Sequence, residues 1–278
     1  MSFFNFDGKI VKADTPVIGP DNRGLRYGDG VFETLKLLKG NIIFPDEHFA
    51  RLWKGMQLLS FDIPRHFSPE MLTTAILQLA EKNNCIGAAR IRLSIYRGDG
   101  GLYDPINHIP HYLIQTWPLK EYKLELNSNG LVVGIYRGAK KAIDSLSNIK
   151  HNNFLPYAMA ALKAKQEKWN DAIVLNTQDR IADTSIANLF AVINSTVVTP
   201  PLNEACIAGV MRNYIISSIE KMGWEIKEQP LTVDDLLQAD EVFLTNSIYT
   251  MRWVKQIGDK EYTNLRIQEI FSSLDSTI

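Results

Sequence analysis

An α+β fold in two domains is what this sequence predicts, on three observations. Runs with strand alternation and runs with helical spacing are interspersed along the chain without a strict strand–helix–strand rhythm, which disfavours a doubly wound parallel sheet. Two β-prone pairs are joined by Asp7-Gly8 and by Lys39-Gly40-Asn41, and glycine turns of this kind mark antiparallel hairpins. The chain has 278 residues, more than one small core comfortably supports.

Element by element, residues 4–11 (FNFDGKIV) read as the first hairpin and residues 19–30 as a glycine-punctuated loop. Residues 31–38 and 42–44 form the second hairpin. Pro45 and Asp46 then open a helix with Phe49, Leu52, Trp53, Met56 and Leu59 on one face. Arg51 falls off that stripe. A second helix spans about 69–83, and a strand over 89–96 sets Arg90, Arg92, Ser94 and Tyr96 on one side. Residues 98–111, rich in Gly, Pro and Asp, read as a long loop, and such loops in compact domains are often functional.

The charged, turn-rich stretch 119–130 suggests a boundary, giving an N-terminal domain over 1–120, a linker over 121–130 and a C-terminal domain over 131–278. Within the latter, strands are expected at 131–136, 171–176, 189–193, 196–198 and 241–245, with helices at 154–168 and from Gly209 to about 222.

Composition narrows the function. Hydrophobic residues make up 45% and charged residues 22%, an ordinary globular balance. A formal net charge of -1 leaves no broad electrostatic footprint for nucleic acid or an anionic membrane, so any anion site must be local. Cys85 and Cys206 lack CxxC spacing and the histidines lack ligand spacing, so neither a disulfide framework nor a metal site is expected. Residues 1–12 carry Asp7, Lys9 and Lys12 and no long apolar run, unlike a signal peptide, and no stretch reaches membrane-span length. The expectation is a cytoplasmic protein. Gly28-Asp29-Gly30 lacks the third glycine of a dinucleotide fingerprint. Arg97-Gly98-Asp99 and the sequon Asn194-Ser195-Thr196 have no secretory context to make them meaningful.

The informative residues lie further on. Lys150 ends a polar run just before a helix, Asp183 precedes Thr184-Ser185, and residues 205–212 (ACIAGVMR) lead into a helix whose N–H groups would face an anion. Each has a plain explanation alone: a solvated lysine, a turn aspartate, a glycine admitting a helix. Together they supply an amine for an aldehyde, a carboxylate for a pyridinium and a cradle for a phosphate, the needs of pyridoxal phosphate.

The ordered motifs RYGDGVFET (26–34), EHFARL (47–52), IKHNNFL (149–155), ADTSIANLF (182–190), GVMR (209–212) and FLTNS (243–247) resemble the class IV aminotransferase family over nearly the whole chain. That family includes branched-chain and D-amino acid transaminases and 4-amino-4-deoxychorismate lyases. The resemblance implies a smaller N-terminal α/β domain, a larger C-terminal barrel-like domain and a homodimer. It makes Lys150 the Schiff-base lysine and proton shuttle. It gives the phosphate to Arg51, Gly209, the backbone N–H groups of Val210 and Met211, and Ser247. Ile207 would pack on the ring, and Asp183 would face the pyridine nitrogen. Relatives usually place Glu at Asp183, so a backbone shift or a water is expected to cover the missing methylene. Relatives often have Tyr at Phe154; Tyr27 is the candidate to supply that hydroxyl.

On the substrate side, the resemblance points to Tyr27, Phe32 and Arg92. Arg92 falls where branched-chain transaminases read an acidic group, the plain alternative being a cross-strand salt bridge. Residues 104–108 lack the arginine of the D-specific carboxylate trap, whereas residues 97–101 (RGDGG) look like the lyase loop. The implied activity is transamination between an amino acid, branched-chain or glutamate type, and a 2-oxo acid. Lyase chemistry giving 4-aminobenzoate and pyruvate is the alternative, and a non-catalytic binding relative, suggested only by Asp183, is a third.

Overall fold

The computed structural model describes residues 2–119 and 124–275. The chain forms two compact units, one of Met1–Lys123 with Ile149–Asn153 and the other of Leu124–Asn148 with Phe154–Ile278. Among the described residues no helix is long and apolar enough to cross a membrane.

The first unit is an antiparallel sheet with helices on one face. Its elements are β1 (Phe3–Phe6), β2 (Lys9–Lys12), α1 (Arg23–Tyr27), β3 (Gly30–Leu38), β4 (Asn41–Ile42), α2 (Pro45–Leu58), α3 (Pro69–Lys82), β5 (Ala88–Arg97) and β6 (Pro110–Pro118). The strand order is β2-β1-β6-β5-β3-β4. Strand alternation sends Val31, Leu35, Leu37, Ile91, Leu93 and Ile95 to one side, where they pack with Phe49, Leu52 and Met56 of α2 and Leu72, Ile76 and Leu79 of α3. Each such buried side chain contributes roughly 1.5–3 kcal/mol. Both helices start with proline in the first turn, and Ser68 caps α3 by accepting from Met71 N–H. The sequence reading assigns no element to β6, which begins and ends on prolines. Tyr112, Ile114 and Thr116 nevertheless point into the core.

The expected long loop is held by arginines. Arg23 donates to the carbonyls of Gly100 (3.2 Å), Leu102 (2.5 Å) and Tyr103 (3.4 Å). Arg97 donates to the carbonyls of Leu59 and Ser60 at the end of α2. Both share the Asp29 carboxylate, at 2.8 and 3.0 Å. Three backbone acceptors of a loop without a ladder of its own are thus satisfied by the Arg23 side chain.

The second unit holds β7 (Leu131–Lys141), α4 (Leu155–Glu167), β8 (Asp171–Asn176), β9 (Ile181–Thr184), β10 (Asn188–Ile193), β11 (Thr196–Thr199), α5 (Val210–Lys221), β12 (Ile226–Glu228), α6 (Val233–Gln238), β13 (Glu241–Asn246), β14 (Thr250–Ile257), β15 (Lys260–Glu261) and α7 (Leu265–Ser272). The sheet runs β12-β11-β10-β13-β14-β7-β8-β9, with β15 on β14. Its last strand, β9, turns straight back into β10, with Thr184 N–H donating to Ala187 O at 2.9 Å. That turn draws the far edge of the sheet toward its middle and curls it into a half-barrel around Val133, Ile173, Leu175, Ile181, Leu189, Leu244 and Val254.

Four differences from the sequence reading bear on function. β7 runs past residue 136 to Lys141, and the turn-like Asp183 lies on β9, where it pairs with Val174. Most of the 119–130 stretch belongs to the second unit, with residues 120–123 outside the described set. Composition also could not show that Ile149–Asn153 leaves the second unit to join the first. It does so through backbone pairing: Phe32 N–H donates to Lys150 O (2.8 Å) and Asn152 N–H to Gly30 O (2.9 Å).

Candidate active site

The pairing of residues 149–153 along β3 explains the glycines of the RYGDGVFET motif. Gly28 has φ 65°, a left-handed conformation, with Asn153 backbone 3.2 Å from where a Cβ would stand. At Gly30 a Cβ would lie 2.1 Å from Ile95 O and 2.7 Å from Asn152 Nδ2. The bare backbone lets the lysine segment lie flat against the strand.

Lys150 Nζ lies 4.5 Å from the centroid of the Phe32 ring. The Arg92 guanidinium lies 3.8 Å from the same centroid, so two of the predicted substrate-side residues and the predicted catalytic lysine meet on one aromatic ring. Arg92 Nε donates to Ser94 Oγ at 3.2 Å. Its cross-strand neighbours are Thr34 and Gln115, and among the described residues it forms no ion pair, so the cross-strand salt bridge is absent. Burial, and then the charge of Arg90, lower its pKa. Tyr27 is the last residue of α1. Its ring lies 5.6 Å from that of Tyr103, with the Arg23 and Arg26 guanidinium groups at 4.9 and 5.1 Å.

Arg51 is off the apolar stripe but not solvated. Its Nε and Nη2 donate to the two oxygens of Glu33 at 2.7 and 2.6 Å, and His48 Nδ1 lies 2.8 Å from the same carboxylate. Glu33 points to the helix-covered face of the sheet and is buried. Burial alone would raise its pKa; Arg51 and His48 outweigh that and hold it at about 2, against a usual 4.5. Glu33 and His48 are residues the sequence reading missed. The available signal was an acid at an inward-facing strand position within reach of a helix arginine.

A stability prediction follows from Glu33. Between about 2 and 4.5 the unfolded chain binds this proton and the folded chain does not, so stability rises with pH across that window. The contribution, on the order of 3 kcal/mol, is complete above 4.5 and lost as pH falls toward 2. Thermal unfolding of Glu33→Gln should show a flatter acid limb than the wild type; parallel limbs would refute the assignment.

The second unit carries the other predicted residues. Asp183 is buried and accepts from Asn188 Nδ2 on Oδ1 (2.7 Å), and from Tyr157 Oη and Ile207 N–H on Oδ2, both at 2.8 Å. Lys141 Nζ is 3.7 Å from Oδ2 and, though buried, has no hydrogen-bond partner among the described residues. Burial raises the pKa of Asp183, with Lys141 the strongest opposing influence, and burial lowers that of Lys141. Tyr157, Lys141 and Asn188 were not anticipated, because they come from three elements and only the curled sheet brings them together. Phe154, where relatives often have Tyr, packs edge-on against Tyr157 with centroids 4.8 Å apart. A tyrosine hydroxyl is therefore present one helical turn later, directed at Asp183.

Gly209 precedes α5 as its N-cap, and a Cβ there would stand 2.0 Å from Asn188 Oδ1. Gly209 offers no side-chain cap to α5, and Val210 and Met211, whose side chains are buried, contribute N–H groups to its first turn. Ser247 lies in the β13–β14 turn, half-buried, where Asn246 Oδ1 accepts from Ile248 and Tyr249 N–H.

Comparison with known proteins gives a single direction. The family model described as amino-transferase class IV matches residues 30–257. The branched-chain-amino-acid aminotransferase of Escherichia coli is 27% identical, over 97% of this chain and 91% of its own length. The aminodeoxychorismate lyase of Bacillus subtilis is 29% identical, over 92% of this chain and 87% of its own. The crystal structure of a branched-chain aminotransferase from Thermoproteus uzoniensis superposes with a TM-score of 0.87, covering 98% of this chain and 92% of that one at 23% identity.

Proposed function

Because this chain belongs to the class IV aminotransferases, an enzyme family that works with pyridoxal 5'-phosphate, we propose that it moves an amino group between an amino acid of glutamate or branched-chain type and a 2-oxo acid. The observation that carries the acidic half of this reading is Arg92, a guanidinium on the Phe32 ring that Lys150 also touches, with no carboxylate paired to it among the described residues. Burying such a charge costs free energy unless it is paired, and a substrate acid group would pair it.

The residues present fit the cofactor. When bound, it accepts the electron pair released as a bond to the substrate's amino carbon breaks. Lys150 is assigned the aldehyde-binding amine and the movement of the proton at that carbon. Asp183 Oδ2 is filled by Tyr157 and Ile207, whereas among the described residues Oδ1 takes only Asn188, which would leave a lone pair for a ring N–H. This suggests that the shorter acid can serve without a bridging water. Arg51, its plane fixed by Glu33, is assigned to the phosphate with Gly209, the N–H groups of Val210 and Met211 and the Ser247 hydroxyl. Ile207 would cover a ring face, and Tyr27 would line the substrate's entry. Homodimerisation and a cytoplasmic location complete the proposal, supported by the family likeness and by composition respectively.

A second reading, 4-amino-4-deoxychorismate lyase, is favoured by one feature. Gly100 and Gly101 adopt φ 95° and 76° in a loop that Arg23 fastens, in the segment that resembles the lyases. Single-turnover spectroscopy with glutamate or leucine alone tests the choice. A transaminase converts its cofactor to the amine form and releases the matching 2-oxo acid. An unchanged spectrum with both, together with pyruvate from 4-amino-4-deoxychorismate, would replace transamination by the lyase reading.

A further inference from the structure

The face of the first unit's sheet that carries Phe32 holds more positive charge than the proposed reaction uses. In the β3–β5 register Lys36 stands directly opposite Arg90, and Thr34 opposite Arg92. Like charges directly opposite on neighbouring strands are destabilising. Lys36 is fully buried, and burial pushes its ammonium down to about 8. Arg90 and Arg92, two positions apart on one face, are separated by about 7 Å along the strand. Among the described residues Arg90, like Arg92, forms no ion pair; its guanidinium lies 4.9 Å from the centroid of Trp117, its neighbour on β6.

A half-buried arginine stacked on a tryptophan is unremarkable in isolation. Its place in the row is what matters. Phe32 is level with Ser94, Arg92 is the next same-face position along β5, and Arg90 the one after. Cationic positions therefore continue along β5 away from Phe32, past the residue already assigned to an acid group, with the Arg90 guanidinium on the β6 side of the strand and that of Arg92 on the β3 side.

We infer that Arg90 is a specificity-determining residue that takes a second acid group of the substrate, farther from the reacting amine than the group held by Arg92. One substrate is then an amine or 2-oxo compound with two acid groups on its far side. This rests on the reading that Lys150 carries the chemistry and Arg92 takes an acid. Glutamate has one acid group on that side, so in transamination Arg90 serves the other substrate of the pair. In the lyase reading the ring substrate, with two carboxylates, engages both arginines itself.

Calorimetric titration of the cofactor-loaded protein with benzoate and isophthalate, one and two carboxylates on the same ring, tests the inference without turnover. Isophthalate should bind the wild type at least about tenfold more tightly than benzoate. Arg90→Met should remove that advantage and leave benzoate unchanged, while Arg90→Lys recovers part of it. Methionine keeps an unbranched stem on Trp117, and Arg90→Gln gives the same readout if the methionine variant unfolds. Arg92→Met should weaken both ligands. Isophthalate affinity that is no better than benzoate's in the wild type, or that Arg90→Met leaves intact while Arg92→Met weakens both, overturns the role of Arg90 alone. No effect of Arg92→Met on either ligand overturns the underlying reading of Arg92.

Discussion

Lys150→Ala is expected to lower turnover by more than about 10⁴-fold, beyond the upper range for proton transfer by a positioned side chain, because a covalent role is lost with it. The fold should survive. What fixes residues 149–153 is backbone pairing, Phe32 N–H to Lys150 O and Asn152 N–H to Gly30 O, and alanine keeps both bonds. Turnover and thermal unfolding measured together separate the two effects, and a melting temperature within a few degrees of wild type is expected, as for a surface change of under about 1 kcal/mol. Borohydride reduction of the loaded wild type followed by peptide mapping should place the cofactor on Lys150. A label on Lys36 or Lys141, both buried amines, would end the assignment.

Asp183→Asn and Asp183→Glu should fail in opposite ways. Asparagine has the right size but presents an amide donor to a site already filled with donors, Tyr157 Oη, Ile207 N–H and Asn188 Nδ2. It also cannot hold a ring-nitrogen proton by charge, so turnover should drop by about 10²–10³, the range for losing one preorganised electrostatic group. Removing one member of a buried ion pair costs about 3–5 kcal/mol when the other charge must remain. Burial already lowers the pKa of Lys141, which reduces the cost of leaving that amine without its partner, so the stability loss should stay below that range. Glutamate keeps the charge, and its extra methylene must enter a site already closed by those contacts, at an overpacking cost of about 1–3 kcal/mol. The expected pattern is a strongly slowed, fairly stable Asn variant and an active, less stable Glu variant. Wild-type turnover in Asp183→Asn would show that this carboxylate does not act on the cofactor.

Legibility varied with the range of the interaction. The hairpin turns, the proline-led helices α2 and α3 and the glycines around residues 28–30 could be read because each answers a local steric demand. Arg51 could be read as lying off an apolar stripe, but not as half of a buried pair, since its partner Glu33 comes from a strand whose inward face only packing defines. Asp183 was legible as a candidate by likeness to a family. Its burial was not, because the donors around it are separated from it by 5 to 26 residues.

Sequence alone determined the class of fold and the cofactor family, and it singled out Lys150 as the candidate amine, since hydrophobic period, turn chemistry and ordered motifs are written along the chain. Tertiary structure alone decided which groups share a charge. The curl of the second sheet sets Lys141 and Tyr157 on Asp183, and the register of β3 against β5 sets Lys36 opposite Arg90 and leaves Arg92 facing Phe32 instead of an acid. The physical reason is range: steric preferences act over a few residues, whereas electrostatic pairing depends on distance in space and on burial, and neither exists until the strands have found their register.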